Sequence, residues 1–281
     1  MPTLHLLGTG AAASDPHRTT TMLAFSSDEE AGDASTLLVD CGGDAIQRYR
    51  QAGLDIDDLD ALILTHEHAD HVSGFPLLME RLWLLGRRRP LPVCGISQAL
   101  AQAERAFGTF DTSGWDDMPT IQWREAPYEE DALVFSGETW RVTAAPVEHA
   151  KPNVGLRIEH GPSGRTAAYS CDTEPTPSVA RLGAGADVLV HEANGDFPGH
   201  STAEGAARIA AEAGAGRLLL VHLPPGLAEA HLDDARSHFE HTGSMSRRCP
   251  MSYGLAPAPP SASGSSSSGS SSTWRAANCS R

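Results

Sequence analysis

From Met1 to about Gly243, short apolar runs alternate with polar or helix-like stretches, the pattern of an α/β layer architecture. Several runs end at a residue able to ligate a metal. Ala61-Leu62-Ile63-Leu64 leads to His66, Val142 to Val147 leads to His149, and Thr166-Ala167-Ala168-Tyr169 leads to Asp172. Val188-Leu189-Val190 leads to His191, and Leu218-Leu219-Leu220-Val221 leads to His222. Each run reads as a buried strand, and strand ends in one sheet can converge on one site. The spacing of Leu77, Leu78, Leu82 and Leu85 predicts a helix over 72–85 with a buried apolar face. Ser201-Thr202-Ala203-Glu204 offers a capping start for an Ala-rich helix up to Glu212, with Gly214 and Gly216 as its stop.

Beyond Gly243 the character changes. Residues 256–273 are almost entirely Ala, Pro, Gly and Ser, which cannot bury enough apolar surface to offset chain ordering. The expected division is a folded domain over 1–243 and a disordered tail over 244–281. A chain of 281 residues with 40% hydrophobic content supports a full core. Its formal net charge of -15 argues against broad electrostatic attraction to nucleic acid, which binds through Lys and Arg. Lys151 is the single lysine. Nothing resembles a signal peptide, and no segment reaches the roughly 20 apolar residues of a membrane helix, so a cytoplasmic location is expected. Cys41, Cys94, Cys171, Cys249 and Cys279 are odd in number and lack CxxC spacing, against a disulfide framework or a thiolate zinc site.

The densest chemistry lies in His66-Glu67-His68-Ala69-Asp70-His71, three imidazoles and a carboxylate within six residues between a strand and a helix. Alternate positions in a turn can direct His66 and His68 to one ion while Asp70 and His71 face another. Imidazole and carboxylate suit zinc, and also manganese or iron. Arg81, Arg87, Arg88 and Arg89 form a local basic cluster that could contact phosphates, although a solvated surface run is the simpler reading. Gly8-Thr9-Gly10 reads as a tight turn after the first strand. His5, His17, His160, His231, His238 and His241 show no ligand spacing, and His191 reads as structural.

The histidine motif, Leu6-Leu7-Gly8-Thr9-Gly10 and Leu38-Val39-Asp40-Cys41-Gly42 together resemble the metallo-β-lactamase superfamily. Thr166 to Thr173, His191-Glu192-Ala193 and His200-Ser201-Thr202-Ala203 bring the resemblance closer to its ribonuclease Z-like branch, which holds tRNA 3′-end endonucleases and smaller cyclic-phosphate phosphodiesterases. The resemblance implies a four-layer αββα sandwich. It also implies two divalent metal ions, one held by His66, His68, His149 and Asp172, the other by Asp70, His71, His222 and the shared Asp172. Two such ions lower the pKa of a shared water and stabilise charge on an attacked phosphoryl oxygen. Asp70 would orient that water and accept its proton. Glu192 and His200 would form the pair that protonates the leaving oxygen. Homodimers are common among relatives; Leu82-Trp83-Leu84-Leu85 could contribute to a contact, although core burial is the simpler reading.

Two departures qualify the resemblance. The tRNA-processing members carry a long arm between the positions of His149 and Asp172, where this chain has room only for a hairpin around Gly161-Pro162-Ser163-Gly164. After His222 those enzymes continue with a serine and an Arg-Tyr pair, whereas Leu223-Pro224-Pro225 follows here. The expectation is therefore a phosphodiesterase acting on small, cyclic or single-stranded phosphodiesters. The alternatives are a tRNA 3′-processing endoribonuclease, a lactone or thioester hydrolase, and a metal-binding module without catalysis.

Overall fold

The computed structural model describes residues 1–27, 34–226, 229–240, 242–244 and 251–254. Its apolar runs pair into two sheets of seven strands each. In the first, β1 (Pro2–Gly8), β2 (Met22–Ser27), β3 (Ser35–Val39), β4 (Leu59–Leu64), β5 (Leu91–Gly95) and β6 (Ile121–Glu125) lie side by side in chain order. In the second, the same holds for β7 (Ala132–Ser136), β8 (Trp140–Pro146), β9 (Val154–His160), β10 (Arg165–Tyr169), β11 (Val188–Glu192), β12 (Leu218–Val221) and β13 (Thr242–Ser244). A last strand, β14 (Met251–Gly254), adds to the edge of β1, so the tail expected to be disordered contributes a strand to the first sheet. Its Met-Ser-Tyr-Gly sequence precedes the low-complexity run. The rest of the tail expected to be disordered, residues 245–250 and 255–281, lies outside the described residues.

Helices α1 (Ala45–Gln51), α2 (Ala69–Val72), α3 (Phe75–Leu84) and α4 (Ser97–Phe107) accompany the first sheet; α5 (Pro177–Leu182), α6 (Ala203–Ala213) and α7 (Glu229–His238) accompany the second. The result is the αββα sandwich, and the strand sequences show why. On β11 and β12, Val188, Val190, Leu219 and Val221 point into the core shared with the first sheet, while Leu189, Leu218 and Leu220 pack under the helices with Ala206, Ala207 and Ala210 of α6. A strand covered on both faces has no polar side to show, which is why these segments read as unbroken apolar runs.

The expected helix over 72–85 is shorter, α3 alone, because Val72 ends the separate turn α2. Gly74 donates its backbone N–H to the carbonyl of Cys41 rather than continuing the first turn, and Pro76 then starts α3. The buried face of α3 is Phe75, Leu78, Met79 and Leu82, while Leu77 and Leu85 are exposed. The arginine cluster is also not a uniform surface run. Arg87 is buried, and its guanidinium donates to the backbone carbonyls of Ile56, Leu59, Arg89 and Pro90. Arg81 pairs with Asp44 at 2.7 Å and Arg89 with Asp60 at 2.5 Å.

Strand direction places the site. β8 runs antiparallel to β9, β9 antiparallel to β10, and β10 to β13 run parallel, so β8, β10, β11 and β12 all end at the same sheet edge. The turn at Gly161-Pro162-Ser163-Gly164 joins β9 directly to β10. At the same rim a bridge between Gly10 and Leu223 ties the two sheets, with Ala11 N–H donating to the Leu223 carbonyl at 3.1 Å and Leu223 N–H to the Thr9 carbonyl at 3.0 Å. No helix among the described residues is long and apolar enough to cross a membrane.

Candidate metal centre

The loop after β4 begins the site. Thr65 and His66 are fully buried, and α2 forms a single turn carrying Asp70 and His71. That turn is held by the segment after β3. Cys41 N–H donates to the His71 carbonyl at 2.8 Å, and Gly42 passes so close that a Cβ there would lie 1.5 Å from the Asp70 carbonyl oxygen. Only a residue without a side chain allows the approach. Asp40, with a left-handed φ of 61°, turns its carboxylate inward. It accepts from the Thr65 N–H and hydroxyl at 3.0 Å and lies 2.8 Å from His71 Nδ1, leaving Nε2 of that imidazole to face the centre.

The second sheet brings the remaining residues one at a time. His149 follows β8, its Nδ1 2.8 Å from the Gly199 carbonyl. Asp172 follows β10 and His222 follows β12; Cys171 and His222 both adopt left-handed φ values of 53° and 52°. Such conformations cost free energy and persist where surrounding contacts enforce them. At His222 the backbone N–H donates to Thr21 Oγ1 at 3.0 Å, beside the Gly10–Leu223 bridge.

These residues meet in two groups that share Asp172. In the first, His66, His68, His149 and Asp172 offer ligand atoms all within 4.8 Å of one another; in the second, Asp70, His71, Asp172 and His222 do the same. His68 Nδ1 lies 3.0 Å from His66 Nε2 and 3.1 Å from His149 Nε2. Asp172 Oδ2 lies 3.3 Å from His222 Nε2 and 3.4 Å from His71 Nε2, and Asp70 Oδ2 lies 3.2 Å from His222 Nε2. Burial foremost pushes His66, His68 and His149 below the usual histidine range, so these rings are neutral with lone pairs available. Without a cation, His71 is held well above that range, because Asp172 and Asp40 outweigh the cost of burying its charge; a cation at Nε2 would take the place of that proton. Asp70 and Asp172 are depressed despite burial by their histidine neighbours.

Divalent cations fit this arrangement. Asp172 Oδ1 and His71 Nε2 are buried without a hydrogen-bond partner, an expensive state for a carboxylate oxygen and a ring nitrogen unless a ligand satisfies them. Oxygen and imidazole nitrogen donors, drawn in sets of four from rigid strand ends, are the chemistry of zinc and similar cations.

Beside the second group stands a different pair. Glu192, at the end of β11, is fully buried and accepts from the N–H groups of Thr173, Asn194 and Ser201. Its Oε1 lies 2.9 Å from His200 Nδ1. Burial raises the Glu192 pKa, partly offset by His200; the carboxylate in turn raises His200 against the effect of burial. The His200 ring stacks on His222 at 5.5 Å and meets His149 edge-on at 5.2 Å.

All the sequence-predicted candidates, His66, His68, Asp70, His71, His149, Asp172, Glu192, His200 and His222, therefore gather at one rim. His191 stays out of these groups: it is buried, its Nδ1 lies 2.8 Å from the Glu192 carbonyl, and burial lowers its pKa to about 4. His5 and His160 bond to Ser26 and Ser27 in the core. Sequence reasoning missed the supporting roles of Asp40 and Thr65. It also missed Cys171, whose thiol lies 3.0 Å from Thr65 Oγ1 beneath the centre and is kept protonated by burial. The left-handed Asp40 sat inside a recognised motif, but nothing in its type announced its contact with His71.

Residues 35–223 match the Beta-lactamase superfamily domain. The Ribonuclease Z of Mycolicibacterium gilvum (strain PYR-GCK) is 30% identical over 83% of this chain and 87% of its own length. The Ribonuclease Z of Mycobacterium marinum (strain ATCC BAA-535 / M) is 29% identical over 83% and 90%. Among solved structures, the metallo-beta-lactamase fold protein YhfI from Bacillus subtilis has a TM-score of 0.72 at 24% identity, covering 90% of this chain and 98% of that one. The short form of human tRNase Z has a TM-score of 0.71 at 22% identity, covering 91% and 100%. The chain thus belongs to the metallo-β-lactamase superfamily of hydrolases, in its ribonuclease Z-like branch.

Proposed function

We propose that the protein is a dinuclear metal-dependent phosphodiesterase acting on small, cyclic or single-stranded phosphodiesters. His66, His68, His149 and Asp172 would hold one divalent cation and Asp70, His71, His222 and Asp172 the other, with zinc best suited to the donors. Cations there supply Lewis-acid stabilisation of the attacked phosphoryl group and a water acidified toward neutral pH. Asp70, an ionised carboxylate at the mouth of the second group, accepts a hydrogen bond from the attacking water and orients it. Asp40 keeps His71 in one tautomer by holding Nδ1.

The observation that carries the reading is the Glu192–His200 pair. With Nδ1 engaged by a buried carboxylate, His200 has Nε2 left as its proton donor, and it stands against both His149 and His222. An alkoxide leaving phosphorus is strongly basic and needs such a donor. Metal-loaded protein is expected to turn over bis-p-nitrophenyl phosphate and cyclic nucleotides. Turnover of a lactone or thioester with none of these diesters would replace the proposal by a carboxylic-ester hydrolase.

A second reading, tRNA 3′ processing, is favoured by the similarity to the two mycobacterial proteins named Ribonuclease Z. Against it stands the tight β9–β10 turn, which leaves no arm between His149 and Asp172. Accurate 3′-end cleavage of precursor tRNA in a gel assay would decide for it.

A further inference from the structure

We infer that Phe197 forms the floor of a leaving-group subsite that takes a planar aromatic ring, such as a nucleobase, carried on the departing alcohol. The inference rests on the phosphodiesterase reading above. Phe197 is 48% exposed, and its ring lies 4.8 Å from that of His200, tilted by 55°. Scattered exposed hydrophobic side chains are ordinary, so exposure alone says nothing. The construction of the loop says more.

Residues 193–201 are folded tightly around the proton donor. Gly195 N–H donates to the Ser201 carbonyl at 3.0 Å, Phe197 N–H to the Gly195 carbonyl at 3.2 Å, and His200 N–H to the Phe197 carbonyl at 3.1 Å. Gly199 N–H is held by Glu174 Oε1 at 2.8 Å. Gly195 has a φ of 137°, and a Cβ there would lie 2.9 Å from Phe197 Cε1. The phenyl ring therefore folds over a position kept bare for it, with His200 beside it and about half its surface left to solvent.

Position then gives the ring its meaning. In the hydrolysis a water oxygen bonds to phosphorus, the bond from phosphorus to the leaving oxygen breaks, and His200 delivers the proton to that oxygen. The leaving oxygen must come within hydrogen-bond reach of His200, about 3 Å. Whatever that oxygen carries starts next to His200, whose ring lies 4.8 Å from that of Phe197. A methyl group ends before the phenyl ring. A nucleoside carries its base across the sugar to a ring that offers an apolar π-face to any base, without hydrogen-bond readout.

The test compares two diesters that release the same adenosine 5′-phosphate: adenylyl-(3′→5′)-adenosine, whose leaving alcohol is adenosine, and adenosine 5′-methyl phosphate, whose leaving alcohol is methanol. For the wild type, kcat/KM is expected to favour the dinucleotide, with about 5- to 100-fold of the preference due to one base–aromatic stack and the rest to the more acidic ribose hydroxyl. Phe197→Ala and Phe197→Leu should lower that ratio by about 5- to 100-fold, to the value set by the two leaving alcohols alone, chiefly through KM, while Phe197→Tyr should keep it. Saturation-transfer NMR should show contact between the protein and the C2 and C8 protons of free adenosine in the wild type and in Phe197→Tyr, and lose it in Phe197→Ala. If both diesters are cleaved but Phe197→Ala slows them equally, the phenyl ring only props His200 and the subsite is refuted while the phosphodiesterase reading stands. If the wild type cleaves neither diester but opens a lactone, both fall together.

Discussion

The first sheet contributes four candidate ligands from one stretch of six residues after β4, whereas the second contributes His149, Asp172 and His222 singly from three strand ends. The contiguous half is organised by local turn geometry and by one neighbouring segment, Asp40 to Gly42, packed against α2. The dispersed half depends on the whole sheet, because only the register of β8 to β12 brings its residues to one edge. Asp172 is where the halves join, the one side chain present in both ligand groups.

Substituting that junction should have the largest effect. Asp172→Ala is expected to empty or deplete both cation positions and to lower kcat by more than about a thousandfold, since the cations supply several kcal/mol of transition-state stabilisation. Metal analysis by mass spectrometry alongside steady-state rates checks it; a variant that kept full metal content and activity would remove Asp172 from the centre.

His200→Ala separates proton donation from metal binding. Metal content should stay at the wild-type level while kcat on an alkyl diester falls by about 10²- to 10⁴-fold. On bis-p-nitrophenyl phosphate, whose leaving group needs no proton, the loss should largely vanish. An equal loss on both substrates would sink the role of donor.

Asp40→Asn probes the support of the contiguous half. The carboxylate touches no ligand group member except His71, so the expected outcome is a cation affinity weakened by about 10- to 100-fold, read by competition with a chromogenic chelator. Activity should be recovered at high metal concentration. Failure of recovery would show that Asp40 does more than hold an imidazole.

The smallest effect is expected outside both halves. Arg81→Ala removes a half-exposed ion pair with Asp44 and should cost no more than about 1 kcal/mol of stability, with kcat/KM on small diesters unaltered. A marked rise in KM would revive a phosphate-contacting role for the arginines near α3.

The same contrast explains what could be read from the chain. His66 to His71 stand together because a single turn uses them, so their spacing is visible in the sequence. His149, Asp172 and His222 are isolated in the chain, and only the apolar run before each betrays a strand ending at the site. Asp40 shows the limit: its role comes from a left-handed backbone turn and a contact with a residue 31 positions away, and neither has a local signature. Arg87 shows the same limit in reverse. Its neighbours Arg88 and Arg89 mark a surface run, while four carbonyls gathered from two separate segments, unseen in the sequence, draw it inside. The break at Gly74 was hidden too, because the need for it lies in Cys41.

The Gly10–Leu223 bridge carries a further consequence. It fastens the sandwich at the same rim where ligands from both sheets meet, and because each ligand group takes members from both sheets, the geometry inside each group depends on the spacing between the two halves of the fold. Cations seated there would act as rivets: splaying the sheets apart by even a few ångströms would cost their coordination, and their binding free energy would resist the splaying. Loss of such cations would then weaken the closure of the sandwich at this rim together with the chemistry, while the Gly10–Leu223 bridge would remain.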